Sequence, residues 1–177
     1  MNPRDGIYRI EQIGEGWLAI SPQPAAEGDP RTRVEQIAAA GFHQVVSLLE
    51  TAEADALGLG HEMELVESMK MAFVSFPIAD FSEPGSVSEF AGLSQRLFCY
   101  LQAGRSTLVH CRGGIGRSGL LAVAVLLQGG MNVHEAIARV TERRGSASPE
   151  TTAQRQWLAD NAAGITARAS ASREVTG

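Results

Sequence analysis

The chain has 177 residues, 44% of them apolar, and a net charge of −5. That length suits one domain with a sizeable core, and the acidic balance gives no support to generic nucleic-acid or anionic-membrane binding. The opening Met1-Asn2-Pro3-Arg4 lacks the apolar segment of a signal peptide, and no apolar run approaches the roughly 20 residues that span a bilayer, so a soluble, cytoplasmic protein with no membrane span is expected.

In chain order, Tyr8 to Ile10 and Trp17 to Ile20 read as two strands of a hairpin around Gly14-Glu15-Gly16. Pro22, Pro24, Gly28 and Pro30 mark a loop, and Thr32 to Ala40 reads as a helix stopped by Gly41. Gln44 to Leu49 is apolar enough for a strand buried on both faces, as in a parallel sheet. Thr51 to Lys70 is predicted helical with a break at Gly58 and Gly60, followed by a strand from Ala72 to Phe76 that Pro77 ends. Ser86-Val87-Ser88-Glu89 fits a capping box opening a helix to about Gln102. Cys99 falls inside this helix, in an apolar stretch, and is expected as buried filler. The chain has only one other cysteine, Cys111. Without CxxC or clustered His, the pair points to reduced thiols and to neither a disulfide framework nor a metal site.

Ser106 to Val109 reads as a short strand, Gly119 to Leu127 as a buried helix, and Asn132 as the cap of a helix to Arg144. Ser148-Pro149 reads as an N-cap with proline at the first helical position, opening a last helix to about Ala162. One domain over residues 1–165 is expected, with 166–177 as a disordered tail. Strands alternating with helices give an α/β fold whose sheet is covered on both faces. His43, His61 and His134 have no identifiable partners and are expected at the surface or in caps.

The most informative segment is His110-Cys111-Arg112-Gly113-Gly114-Ile115-Gly116-Arg117-Ser118, a glycine-rich turn between a strand end and a helix start. Backbone N–H groups at such a turn are free to face an anion. Three readings compete. Gly114 to Gly119 matches the G-x-G-x-x-G dinucleotide fingerprint, but no second strand follows the helix to carry the acidic ribose partner. A purely structural cysteine would sit oddly among two arginines and three glycines. A helix N-terminus, converging N–H groups and a guanidinium instead all stabilise a thiolate, and the same dipoles would bind phosphoryl oxygens, two of them gripped by the Arg117 fork.

His110-Cys111, five residues, then Arg117-Ser118 resembles the signature of the cysteine-dependent protein tyrosine and dual-specificity phosphatases. Pro77-Ile78-Ala79-Asp80 resembles that family's mobile acid loop, and Arg144-Gly145-Ser146 with Glu150 to Gln154 its water-positioning segment. The combination is most similar to the atypical dual-specificity group around the cyclin-dependent-kinase-associated phosphatase, over roughly residues 17–160. The resemblance implies a single-domain phosphatase fold, with a central mixed, largely parallel sheet, and metal-independent hydrolysis without a cofactor. It implies Cys111 as nucleophile, and Arg117 with the backbone of Arg112, Gly113, Gly114, Ile115 and Gly116 as the phosphate cradle. Asp80 is then the general acid with Glu83 as fallback, Ser118 the partner of the departing thiolate, and His110 an orienting residue. Gln154 would place the water, with Gln156 close by as an alternative. Phosphotyrosine in proteins is the implied substrate, with phosphoserine and phosphothreonine beside it and the phosphorylated protein as partner. Phosphoinositide or inositol-phosphate hydrolysis stays open, although the loop's only variable cation is Arg112. An inactive phosphopeptide-binding module is the alternative of another class.

Overall fold

The computed structural model describes residues 6–26 and 28–171. Among them, five strands form one sheet: β1 (Tyr8–Ile13), β2 (Gly16–Ser21), β3 (Gln44–Ser47), β4 (Ala72–Ser75) and β5 (Thr107–His110), in the order β1-β2-β5-β3-β4. The β1–β2 pair is antiparallel and every other pairing is parallel, so the sheet is mixed and largely parallel. The helices are α1 (Pro30–Ala39), α2 (Thr51–Ala56), α3 (Glu62–Ser68), α4 (Val87–Gln102), α5 (Gly116–Gln128), α6 (Val133–Arg144) and α7 (Thr152–Ala171).

The inner strands β2, β3 and β5 are buried on both faces because helices cover both. Leu18, Ile20, Val46, Leu48 and Val109 face α4 to α7. Their neighbours Ala19, Val45 and Leu108 face α1 and α3, where Val34, Ile37 and Val66 meet them. All of α5 is buried, which makes it the axis of the larger core. Gly119 lets α5 approach the Ser148–Pro149 segment, where an added Cβ would overlap the Ser148 hydroxyl. In α4, Leu93, Leu97 and Leu101 recur every four residues and are buried. Burying each contributes about 1.5–3 kcal/mol.

That stripe also overturns the expectation for Cys99. Two residues from Leu97, about 200° around a helix of 3.6 residues per turn, it lies on the opposite face and is exposed. Ser86 and Asn132 cap α4 and α6 as expected, each accepting the N–H of the glutamate three residues on. His61 and His134 are exposed, while His43 Nδ1 accepts the Ser106 N–H at 3.1 Å.

Ser148 is not a helix cap. Its hydroxyl donates to Ile115 O at 2.6 Å, its bond to Pro149 is cis, and α7 begins later, at Thr152. The cap is instead a reciprocal box in which Thr151 Oγ1 accepts the Gln154 N–H and Gln154 Oε1 accepts the Thr151 N–H. Helix α7 runs to Ala171, past the expected end near Ala162 and into the segment expected as tail. The rest of that segment, 172–177, lies outside the described residues.

Candidate active site

β5 sits at the centre of the sheet between β2 and β3, and the chain leaves the carboxyl ends of β2, β3, β4 and β5 at one edge. This is where an open α/β sheet places its ligand. The segments that follow these strands carry Gln23, Glu53, Asp80 and Cys111. From β5 the chain turns through residues 111–115 directly into α5, whose N-cap, Ile115, offers no side-chain hydrogen bond. The first N–H groups of α5 therefore have no capping side chain.

The turn is held from behind. Arg112 O accepts the Gln23 N–H at 3.3 Å, Gly113 O accepts Arg144 Nη2 at 3.2 Å, Gly114 O accepts Arg144 Nε at 2.7 Å, and Ile115 O accepts the Ser148 hydroxyl. In a planar trans peptide the N–H points opposite the carbonyl of the preceding residue. Four consecutive carbonyls fixed outward thus turn the N–H groups of residues 113–116 to the other side. Gly114 adopts φ +63°, and a Cβ there would overlap the Ser21–Pro22 backbone, so this position requires glycine.

Cys111 is buried, with Sγ 3.4 Å from the buried Ser118 Oγ. The Arg117 side chain is 2% exposed. Its Nη1 and Nη2 donate to Glu53 Oε2 and Oε1 at 2.7 and 2.9 Å, and Nη1 also donates to Ile78 O at 3.0 Å. The end of the fork is thus taken by Glu53, which leaves the edge formed by Nε–H and the second Nη2 hydrogen to take two oxygens of an oxyanion. Asp80 Oδ1 lies 2.9 Å from Nη2 as a close ion pair, so Asp80 and an arriving dianion meet at the same edge. Burial opposes the Arg117 charge, but the Glu53 hydrogen bonds and the nearby Cys111 and Asp80 outweigh it and hold its pKa above the ordinary arginine value. The Arg117 hydrogen bonds, against some burial, hold Glu53 below the ordinary carboxylate value.

The structure brings together Cys111, Arg117, Ser118 and Asp80. Glu83, the fallback acid, is not among the carboxylates that pair with Arg117, which are Glu53 and Asp80. Gln154 is fully buried, its Nε2 donating to Ser82 O at 3.1 Å, and its amide would lie 3.1–3.2 Å from a Cβ placed on Gly116. It therefore bridges the acid loop and the start of α5. Gln156 instead bonds Asp160 on the surface at 2.8 Å. Arg112 is exposed at the rim. His110 points to the opposite face of the sheet, where Nε2 lies 2.7 Å from the buried Glu62 Oε1 without the alignment of a directed hydrogen bond.

Sequence reasoning missed Glu53 and Glu62. Glu53 follows a strand end, but nothing local couples it to an arginine 64 residues away. In the sequence Arg144 stands out only as part of the water-positioning segment, and Tyr8 only as a strand residue. The Arg144 guanidinium carbon lies over the Tyr8 ring, 4.0 Å from its centroid.

Residues 29–161 match the family model described as dual specificity phosphatase, catalytic domain. The chain belongs to the dual-specificity phosphatase family. It is 28% identical to cyclin-dependent kinase inhibitor 3 of Sus scrofa over 148 residues, 80% of this chain and 69% of the relative. In fold it is similar to kinase associated phosphatase crystallised with its catalytic-site cysteine replaced by serine, with a TM-score of 0.81, 20% identity and coverage of 92% of this phosphatase and 94% of that chain. It is also similar to PTPMT1 in complex with PI(5)P, with a TM-score of 0.75, 18% identity and coverage of 93% and 99%. The cysteine-based mechanism is the one this family implies.

Proposed function

We propose that this phosphatase hydrolyses phosphotyrosine in cytoplasmic proteins, and phosphoserine and phosphothreonine beside it, through a cysteinyl-phosphate intermediate. The observation that carries the reading is the Arg117 edge left beside Cys111, in a turn whose N–H groups are aimed by four outward-held carbonyls. Cys111 Sγ attacks phosphorus in line, and the S–P bond forms as the ester P–O bond breaks. Asp80 gives its proton to the leaving oxygen. Charge spreading over the three equatorial oxygens meets Arg117 and the N–H groups, the largest expected source of stabilisation in phosphoryl transfer. Water then attacks phosphorus, Asp80 takes its proton, and the thiolate departs with a hydrogen bond from Ser118. Gln154 holds the acid loop against the start of α5, which suits a role in placing that water.

Phe81, next to Asp80, supports an aromatic substrate: it is 61% exposed and held at φ +58°, a conformation a bulky residue rarely adopts. Both cysteines are free, which suits a reducing compartment. Phosphoinositide hydrolysis is the second reading, favoured by the fold similarity to a relative crystallised with PI(5)P and by the exposed Arg112 at the rim.

The test compares wild type with Cys111→Ser on phosphotyrosine, phosphoserine, phosphothreonine and phosphoinositide panels. Vanadate-sensitive release of phosphate from phosphotyrosine peptides by wild type alone is expected. Preference for the lipid panel selects the second reading, and no hydrolysis of any panel refutes both.

A further inference from the structure

The family match begins at residue 29, so the β1–β2 hairpin and the segment that leaves it lie outside the matched region. Yet this part of the chain touches the phosphate-binding turn twice and reaches it a third time through Arg144. The Gln23 N–H holds Arg112 O, the Ser21–Pro22 backbone seats Gly114, and the Tyr8 ring lies under the Arg144 guanidinium that holds Gly113 O and Gly114 O. We propose that Tyr8 is a positioning residue for the phosphate-binding turn, acting through Arg144.

The argument is geometric. A guanidinium is planar, with its donors in its edge and its apolar faces free to stack. Arg144 spends Nε and Nη2 on two successive carbonyls, which is possible only when its plane contains both directions. The ring, 4.0 Å from the guanidinium carbon and well inside the range of a cation–π contact, packs against the group and limits how far it can swing away from the two carbonyls. Arg144 is half-buried, so without the ring its long side chain has water to turn to. The peptide N–H groups of Gly114 and Ile115 would then lose their fixed direction.

A second link ties the hairpin to α6 without touching the turn: Glu11 on β1 pairs with Arg139. This separates anchoring of the hairpin from positioning of the turn. The proposal rests on the reading that the turn binds a phosphoryl group. Its experiment therefore reads oxyanion binding directly, using orthovanadate affinity by calorimetry beside kcat and KM for an aryl phosphate.

Tyr8→Leu is expected to weaken vanadate binding and lower kcat/KM by about five- to tenfold, the scale of one cation–π contact. Tyr8→Phe should stay within twofold of wild type, because the ring and not the hydroxyl faces Arg144. Arg139→Gln should lower stability but leave vanadate affinity unchanged. Should Tyr8→Leu not fold, Arg144→Lys gives the second reading: it keeps a cation over the ring but loses the two-pronged reach, and should lose vanadate affinity as Tyr8→Leu would. Wild-type affinity in Tyr8→Leu or in Arg144→Lys, or an equal loss in Tyr8→Phe and Tyr8→Leu, overturns the proposal. Failure of wild type itself to bind vanadate removes the phosphatase reading and the proposal with it, and is recognised because no variant is needed to see it.

Discussion

Glu53→Gln tests the electrostatic frame of the site. The carboxylate makes two charge-assisted hydrogen bonds to Arg117, at 2.7 and 2.9 Å, with its side chain only 13% exposed. Glutamine keeps the shape and one acceptor but turns an NH₂ group toward one arm of the fork, and it removes the countercharge of a buried guanidinium. Charge-assisted hydrogen bonds are worth about 1.5–3 kcal/mol, and breaking a buried pair costs about 3–5 kcal/mol; with one acceptor retained and Asp80 still adjacent, a loss of about 2–4 kcal/mol is expected. Misdirection of the Arg117 edge should lower kcat/KM by roughly 10- to 100-fold, since about 1.4 kcal/mol of lost transition-state stabilisation is a factor of ten. The pH dependence has a definite sign. Because the folded protein holds Glu53 below its ordinary value of 4.5, its stabilising effect is complete above that value and is lost as pH falls through the lower folded pKa. Urea denaturation of both proteins at pH 7 and pH 3 should show a gap that shrinks at the lower pH. A Glu53→Gln enzyme with wild-type stability and kcat/KM within twofold of wild type would refute this account of Arg117.

Asp80→Asn should reduce kcat on phosphotyrosine peptides by about 10²- to 10⁴-fold, the range of general acid catalysis, and hurt p-nitrophenyl phosphate less because its phenolate leaves readily. Equal losses on the two substrates would remove Asp80 from that role. Ser118→Ala, which deletes the hydroxyl 3.4 Å from the thiol, should slow breakdown of the cysteinyl-phosphate by about 10- to 100-fold; a rapid burst followed by a slow steady state in stopped flow is the expected record. Gly114→Ala should destabilise by about 2–4 kcal/mol, from left-handed strain plus overlap with the Ser21–Pro22 backbone, and a thermal shift of the purified variant measures it.

What could be read in advance divides by sequence distance. The turn from His110 to Ser118 announces itself because its chemistry and its strand–turn–helix context are local. Asp80 is flagged by its flanking prolines, and the helix ends at Ser86 and Asn132 by their capping patterns. Cys99 reads as buried because composition identifies an apolar stretch, whereas only the phase of the Leu93–Leu97–Leu101 stripe says which side faces out. Ser148 reads as a cap because proline after serine imitates a helix start, while the true box, Thr151 with Gln154, begins three residues later. Glu53, Glu62 and the Tyr8–Arg144 stack were illegible for one reason: each owes its role to a partner in a different element, and no spacing rule reaches that far.

The outward-held carbonyls of the phosphate-binding turn also set the order in which activity can arise. Their donors come from residue 23 near one end of the chain and from residues 144 and 148 near the other, and Glu53 reaches Arg117 across 64 residues. Such distant contacts close late, after the entropy of the intervening loops has been overcome. The turn gains its full set of donors only once α6 and the segment after it have docked, which makes its shape among the last features of the fold to be completed.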